Sequence, residues 1–494
     1  MPLPSKTRRK KTLKVLFATP EIHPLVKTGG LGDVSGALPP ALRHVGVDAR
    51  VLVPGYSKLM AAVPKKRLLA RMSGIPEHGE IRLLSAAMPG SGTPLLIVDY
   101  PPYYDRPGGP YLDARGRDWP DNMWRFGLLS RVAALLGSGG GPLAWRPDIV
   151  HCNDWQTGLA PALLHFAPGP KAATVITIHN LAYQGIFPPE YVTRLGLPAS
   201  SFSMEGVEYY GSLSFLKAGL FYADHITTVS PTYAAEIQGE PLGFGLQGLL
   251  AARKAHLTGI VNGVDLEHWN PSADPFLPKT YSAHRLAGKQ ANKLALQRRL
   301  GLEGSPDVPL LGMVSRITDQ KGVDLVLQIA SRIIAEPAQL ALLGTGDPAL
   351  EQACLKLARR HPGRIGLHIG FDEGLSHLVE AGSDIFLMPS RFEPCGLNQM
   401  YSMIYGTPPV VHATGGLADT VVDATPATLK DGSATGFVFD RLTPQDFLAA
   451  VRRALSAYRD KKTWRGLQRN GMGRDFSWER SALEYRAVYD TLLT

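Results

Sequence analysis

Three cations stand where a departing phosphate would need them. Lys27 precedes the glycine hexapeptide TGGLGD (28–33), and Arg316 and Lys321 lie five residues apart around SRITDQK (315–321). Positive side chains neutralise the charge that builds on a phosphate or pyrophosphate leaving group, and glycines let backbone N–H groups approach the same anion. Singly, each Arg or Lys is more often a solvated surface group, and a glycine loop serves equally as a tight β-α turn without a ligand. A near copy of the hexapeptide, TGGLAD, recurs at 414–419, with Ala418 standing against Gly32.

Other residues suit a sugar. Asp154 lies beside Trp155 in HCNDWQ (151–156). An aromatic ring stacks on the C–H face of a sugar while a carboxylate accepts from its hydroxyls, although a helix cap with a core Trp fits the same pair. His179 opens the loop HNLAYQG after the apolar run ATVITI, where it is either a ligand contact or an ordinary hydrogen-bonding residue. Glu393 in SRFEPCGLNQM follows DIFLMP and precedes a helix expected near Gly396. Its carboxylate and the amides of the next turn should point into one cleft.

G-x-S-x-G, H-E-x-x-H, the Walker A loop and a D-x-D tripeptide are all missing, and Gly344-Thr-Gly346 lacks the third glycine of the dinucleotide fingerprint. Lys and Arg must then do for a departing phosphate what a metal ion would otherwise do. Neither a metal nor a cofactor is expected.

These residues need loops at strand ends. LKVLFATP (13–20), DARVLVP (48–54), PLLIVDY (94–100), RPDIVHCND (146–154), ATVITIHN (173–180) and DHITTVS (224–230) read as strands alternating with helical patterns. The rhythm restarts with PLLGMVSR (309–316), QLALLGTGD (339–347), RIGLHIGFD (364–372), SDIFLMPSRFE (383–393) and TPPVVHATGG (407–416). Apolar runs of this kind are how a parallel sheet covered on both faces appears in sequence. DVSGALPPALRHVG should be a helix capped by Asp33, kinked at Pro39 and Pro40 and ended at Gly46.

The fold class is therefore α/β, with two Rossmann-like doubly wound domains facing a cleft. The expected divisions are a basic disordered arm (1–12), an N-terminal Rossmann-like domain (13–258), a C-terminal Rossmann-like domain (259–474) and a last helix (475–494). TGIVNGVDLEHWNP (258–271) is the expected hinge. In open parallel sheets ligands bind beyond the carboxyl ends of the strands, so both hexapeptides are placed to line a cleft.

Bulk properties narrow the classes. A chain of 494 residues with 44% apolar content can build two cores, and no apolar run approaches the roughly 18 residues that span a bilayer. Of the net charge of +9, Lys6, Arg8, Arg9, Lys10 and Lys11 supply a cluster that reads as a solvated arm rather than a nucleic-acid site. Cys152, Cys354 and Cys395 match neither zinc-ligand nor disulfide spacing and point to a reducing cytoplasm. Neither nucleic acid nor membrane is an expected partner, and self-association is left open.

PEIHPLVKTGGLGDVSGALP, HCNDWQTG, TIHNLAYQG, VNGVD, SRITDQKG, GFDEGLSH, SRFEPCGLNQMY and ATGGLADTV, in this order, resemble bacterial glycogen synthases and the related starch synthases over about residues 13–480. The resemblance implies the GT-B glycosyltransferase fold. It also implies glucose transfer from ADP-glucose to the nonreducing 4-hydroxyl of an α-1,4-glucan such as glycogen, with retention and without a metal.

By the same resemblance, Lys27 and the amides of Gly29 and Gly30 meet the donor phosphates, and Arg316 and Lys321 hold the diphosphate. His179 and Asn262 contact the donor glucose, and Glu393 with Cys395, Gly396 and Leu397 holds its hydroxyls. Phe371 stacks on adenine. Asp33 and Asp154 match acidic positions near the glucose and the acceptor, with Trp155, Tyr103 and Tyr104 on the acceptor side. Thr414, Gly415 and Gly416 belong to the family pattern, with donor contact as a hypothesis. Two departures are Tyr401, where some related glycosyltransferases carry a second Glu, and Gln156, where many relatives carry His.

The rival readings are the same fold with UDP-glucose or another acceptor, a nicotinamide-dependent oxidoreductase, and a glucan-binding protein without turnover.

Overall fold

The computed structural model describes residues 12–493, so all of the expected basic arm but Thr12 lies outside the described residues. The chain divides into two compact units. The first comprises residues up to Val229, Ala234–Gly263 and the segment from Trp478 onward, and the second Ser230–Tyr233 and Val264–Ser477.

In the first unit the strands are β1 (Lys14–Ala18), β2 (Asp48–Pro54), β3 (Arg67–Met72), β4 (Ile81–Ala87), β5 (Pro94–Asp99), β6 (Ile149–Asn153), β7 (Ala173–Ile178), β8 (Ile186–Phe187), β9 (Glu208–Tyr209), β10 (Ser212–Ser214), β11 (His225–Thr228) and β12 (Leu257–Gly259). Nine of them form one sheet in the order β12-β11-β7-β6-β1-β2-β5-β4-β3, and β8-β10-β9 form a small second sheet. Pairing is parallel from β12 to β5 and antiparallel from β5 through β4 to β3. The parallel strands are buried on both faces, as the 0% exposure of Val15, Leu16, Phe17 and Ala18 shows. That is why they read as unbroken apolar runs.

The second unit holds β13 (Leu310–Val314), β14 (Gln339–Gly344), β15 (Ile365–Ile369), β16 (Ile385–Met388), β17 (Pro409–His412) and β18 (Phe437–Phe439). They form a wholly parallel sheet in the order β15-β14-β13-β16-β17-β18. One core beneath it joins Val326 and Ile329 of the helix Val323–Ala335 to Leu340, Ile385 and Val410 of the strands and to Val451 of the helix Pro444–Arg459.

Both sheets wind outward from a central strand. From β1 the chain builds one side through β2 and the other through β6, and from β13 it builds one side through β14 and the other through β16. The switch points lie between β1 and β6 and between β13 and β16, which is where doubly wound sheets open a crevice for ligands.

One local expectation needs correction: Asp33 does not cap the first helix. The first helix runs unbroken from Gly30 to His44 through Pro39 and Pro40, with Gly29 at its N-cap and no side-chain cap bond. Asp33 is therefore inside the first turn, where a carboxylate favours the helix dipole without capping it. Gly46, at φ +88°, follows the helix end as expected.

The last helix, Trp478–Thr491, belongs to the first unit. Ser481 Oγ donates to Val261 O at 2.7 Å, Arg486 reaches Val45 O, and Tyr489 Oη lies 2.7 Å from Nδ1 of the fully buried His151. Burial pushes the His151 pKa down to about 3, so this contact is made by a neutral imidazole.

Candidate functional site

In the first unit the switch point brings together the loops after β1 and β6, with the loop after β7 beside them. Lys27 Nζ pairs with Asp33 Oδ1 at 2.7 Å, half-exposed. Between them runs the open glycine turn, where a Cβ on Gly29 or Gly30 would meet nothing within 4 Å. A residue that the motif reading missed sits under this turn. Glu21, 3% exposed, accepts the N–H groups of Thr28 at 2.5 Å and Gly29 at 3.2 Å, and the hydroxyl of Tyr111. The Gly29 amide assigned to the donor phosphates is thus already engaged by a carboxylate. Burial raises the Glu21 pKa against these hydrogen bonds.

Asp154 closes β6 with φ +54°, a region that a non-glycine residue occupies only when its surroundings hold it there. Its Oδ1 accepts the His179 N–H at 2.7 Å, which ties the ends of β6 and β7 together. Burial raises the Asp154 pKa to about 7, although the amides of His179 and Asn180 oppose the shift.

His179 Nε2 lies 2.9 Å from Asn153 Oδ1, and the Asn153 amide nitrogen donates to Ala18 O at 3.0 Å. Asn153 Oδ1 must accept, so Nε2 carries the proton and Nδ1 is left as an acceptor. Burial pushes the His179 pKa down to about 3, which keeps the ring neutral. Asn262 is buried, and its Oδ1 has no hydrogen-bond partner among the described residues.

Of the expected acceptor residues, the structure separates two neighbours. Tyr103 is half-buried in an aromatic group with His78 and Tyr100. Tyr104 is 2% exposed and donates to Arg125 O at 2.6 Å, so it anchors the loop and presents no ring to an acceptor. The buried Arg125 braces the same loop through Tyr103 O and Pro110 O at 3.0 and 2.7 Å. Trp155 is half-buried, edge-on to Phe126 at 5.0 Å and tilted against Phe187 at 5.8 Å.

In the second unit the switch point joins the loops after β13 and β16. Lys321 Nζ meets Glu393 Oε2 at 2.5 Å, with side-chain exposures of 19% and 8%, and Ser390 Oγ donates to the same oxygen at 3.0 Å. The exposed Arg316 donates to Gln320 Oε1 at 3.1 Å. Arg391 fixes the pair of loops from below, with a bidentate contact to Asp324 at 2.7 and 2.8 Å and its N–H on Gln320 O at 2.8 Å.

The loop after β17 supports this arrangement. The Gly416 N–H donates to Glu393 O at 3.1 Å, and Gly415 has φ +43°. A Cβ at Gly415 would come within 2.0 Å of Glu393 O, and one at Gly416 within 2.1 Å of Cys395 O. Thr414 and Cys395 are buried, and Gln399 Nε2 ties the turn through Cys395 O and Gly396 O at 3.0 and 3.1 Å. The helix expected near Gly396 begins at Asn398, with Leu397 as its N-cap. Gly415 and Gly416 therefore face backbone, so replacing Gly415 would disturb the Glu393 turn whether or not a ligand touches it. Phe371 is 87% exposed, a bare ring after β15.

The family described as "Starch synthase catalytic domain" matches residues 14–252, and that described as "Glycosyl transferases group 1" matches residues 302–470. A glycogen synthase of Nitrosospira multiformis is 59% identical, covering 97% of this chain and 97% of its own. One of Nitrosomonas eutropha is 58% identical, covering 99% and 98%. The catalytic domain of starch synthase IV from Arabidopsis thaliana, bound to ADP and acarbose, superposes with a TM-score of 0.87 at 32% identity, covering 97% of this chain and 99% of that one. A sucrose-phosphate synthase from Thermosynechococcus elongatus, at 17% identity and a TM-score of 0.60 over 97% of this chain and 99% of that one, shares the fold alone.

Proposed function

The chain belongs to the glycogen synthase family, with the two-domain α/β architecture of GT-B glycosyltransferases, and we infer that its two switch-point sites serve one reaction. The protein is a glucosyltransferase that elongates an α-1,4-glucan from ADP-glucose. The observation that carries the assignment of roles is the Lys321–Glu393 pair at the second switch point, with Arg316 on the same loop.

Lys321 and Arg316 bind the diphosphate and stabilise its charge as it leaves, and Lys27 with the Gly30 amide adds positive potential from the first unit. Asn262, whose buried oxygen lacks a partner, and neutral His179 orient the donor glucose. Glu393, held by Lys321 and Ser390, is already paired and so positions hydroxyls instead of attacking carbon. Phe371 stacks on the base.

The transfer is a front-face displacement with retention. The bond from C1 to the phosphate oxygen breaks, the bond from C1 to the acceptor 4-oxygen forms on the same face, and the acceptor proton passes to the departing phosphate. Orientation and charge stabilisation are the protein's share. Asp154 and Tyr103 serve the acceptor side. The three cysteines are buried and form no disulfide among the described residues, which suits a reducing cytoplasm. No described helix is long and apolar enough to cross a membrane.

The test is incubation of the purified protein with glycogen and either ADP-glucose or UDP-glucose, in the presence of a chelator, following nucleoside diphosphate release and glucan growth. Preferential turnover with ADP-glucose supports the reading. Preference for UDP-glucose overturns the donor assignment, and glycogen binding without turnover overturns the catalytic one.

A further inference from the structure

The second unit gathers two histidines and a glutamate that the glucosyl transfer does not use. His268 follows the segment VNGVD, and Glu373 and His377 lie one turn apart on the helix Glu373–Gly382. Each brings one donor atom within 4.8 Å of the others, and His268 Nε2 is 3.1 Å from Glu373 Oε1.

The buried member is held as a metal-binding imidazole is held. His377 has no exposed surface, and its Nδ1 lies 2.8 Å from Asp274 Oδ2, an oxygen that also accepts from Tyr405 Oη at 2.5 Å. An Nδ1–H on Asp274 leaves the Nε2 lone pair as the donor, and Nε2 has no hydrogen-bond partner among the described residues. The ring plane is fixed by stacking on Trp269 at 3.9 Å and 7°, and Trp269 in turn stacks on Tyr401 at 3.8 Å. A carboxylate that orients one nitrogen so that the other meets a metal is the usual outer support of a zinc-bound histidine. Burying an imidazole nitrogen without a partner costs free energy that a ligand would recover.

We propose that His268, Glu373 and His377 form a binding site for a zinc-like divalent cation that fastens the segment around His268 to the start of the helix Glu373–Gly382. Two imidazole nitrogens and one carboxylate are a borderline-soft donor set suited to Zn²⁺, with bonds of roughly 2.0–2.2 Å and a water completing the tetrahedron. Binding replaces the His268–Glu373 hydrogen bond with two metal bonds. The ion is structural, and the leaving-group chemistry stays with Lys321 and Arg316.

The experiment is titration of the untagged full chain, first stripped by chelator, with Co²⁺ and then Zn²⁺. Expected are visible d–d bands that saturate at one Co²⁺ per chain and are displaced by Zn²⁺, and a higher Tm with Zn²⁺. In His268→Ala and Glu373→Gln, both at partly exposed positions, affinity should fall on the order of 10–100-fold or more, while His284→Ala keeps it. Absence of a saturable spectrum, or one that survives in both His268→Ala and Glu373→Gln, overturns the proposal. Activity is not the readout, so failure here leaves the glucosyltransferase reading untouched.

Discussion

At Gly29 and Gly30 a Cβ would find open space, whereas at Gly415 and Gly416 it would press within 2.0 and 2.1 Å of the carbonyl oxygens of Glu393 and Cys395. The two hexapeptides share five of six residues and begin helices after parallel strands, yet glycine serves different ends in them. In the first it leaves room above the helix N-terminus, with Lys27 and Asp33 paired across the turn at 2.7 Å. In the second it lets one backbone lie against another, and Asp419, the counterpart of Asp33, is occupied by the N–H and hydroxyl of Thr232 at 2.9 and 2.7 Å. The first copy leaves open space at Gly29 and Gly30 while Glu21 holds its Thr28 and Gly29 amides, and the second braces the turn that carries Glu393.

The largest effect should come from the group that the second loop braces. Lys321→Ala removes the cation proposed to hold the diphosphate and leaves Glu393 buried without its ion-pair partner, so kcat should fall on the order of 10²–10³-fold. A fall of less than tenfold with the fold intact by circular dichroism would remove Lys321 from the mechanism.

Next comes the brace itself. Gly416→Ala must push Cys395 aside, and overpacking of this kind costs about 1–3 kcal/mol, read as a lowered Tm together with lost kcat. An unchanged Tm would show that the second loop is as open as the first.

A pH-dependent effect belongs to Asp154 at the first switch point. Its folded pKa is raised from 3.8 to about 7, so between those values the folded chain keeps a proton that the unfolded chain has lost. The contribution of Asp154 to stability therefore falls as pH rises through that window. The Tm of the parent minus that of Asp154→Asn should decline from about pH 4.5 to about pH 7.5, and parallel Tm profiles would contradict the raised pKa.

The smallest effect is expected at Gly30→Ala. The new methyl meets no neighbour, so stability should change by no more than about 0.5 kcal/mol, and any effect should appear in donor KM. A Tm loss equal to that of Gly416→Ala would erase the contrast between the two loops.

Much of this arrangement was legible before any coordinates. The parallel strands buried on both faces appear as runs rich in Val, Leu and Ile because both faces pack against apolar cores, with the few buried polar groups such as His151 and Thr177 hydrogen-bonded to each other, and they end in the loops that hold Lys27, Asp154, His179, Arg316, Lys321 and Glu393. The antiparallel pair β3 and β4 was not legible. Arg67 and Leu68 of β3 are exposed, so the strand carries no apolar run to read. Tyr103 and Tyr104 look alike in sequence, and only packing against Arg125 makes Tyr104 an anchor.

The sequence by itself determined the class of chemistry, because a phosphate leaving group needs cations and close backbone, and those residue types stand at strand ends whatever the strand order. Tertiary structure decided which of them meet. Lys321 and Glu393 are 72 residues apart, and Glu21 and Tyr111 90 apart. Each parallel strand can take a neighbour on either side, so adjacency follows from where the winding reverses, at β1/β6 and β13/β16. Local patterns carry no record of that reversal.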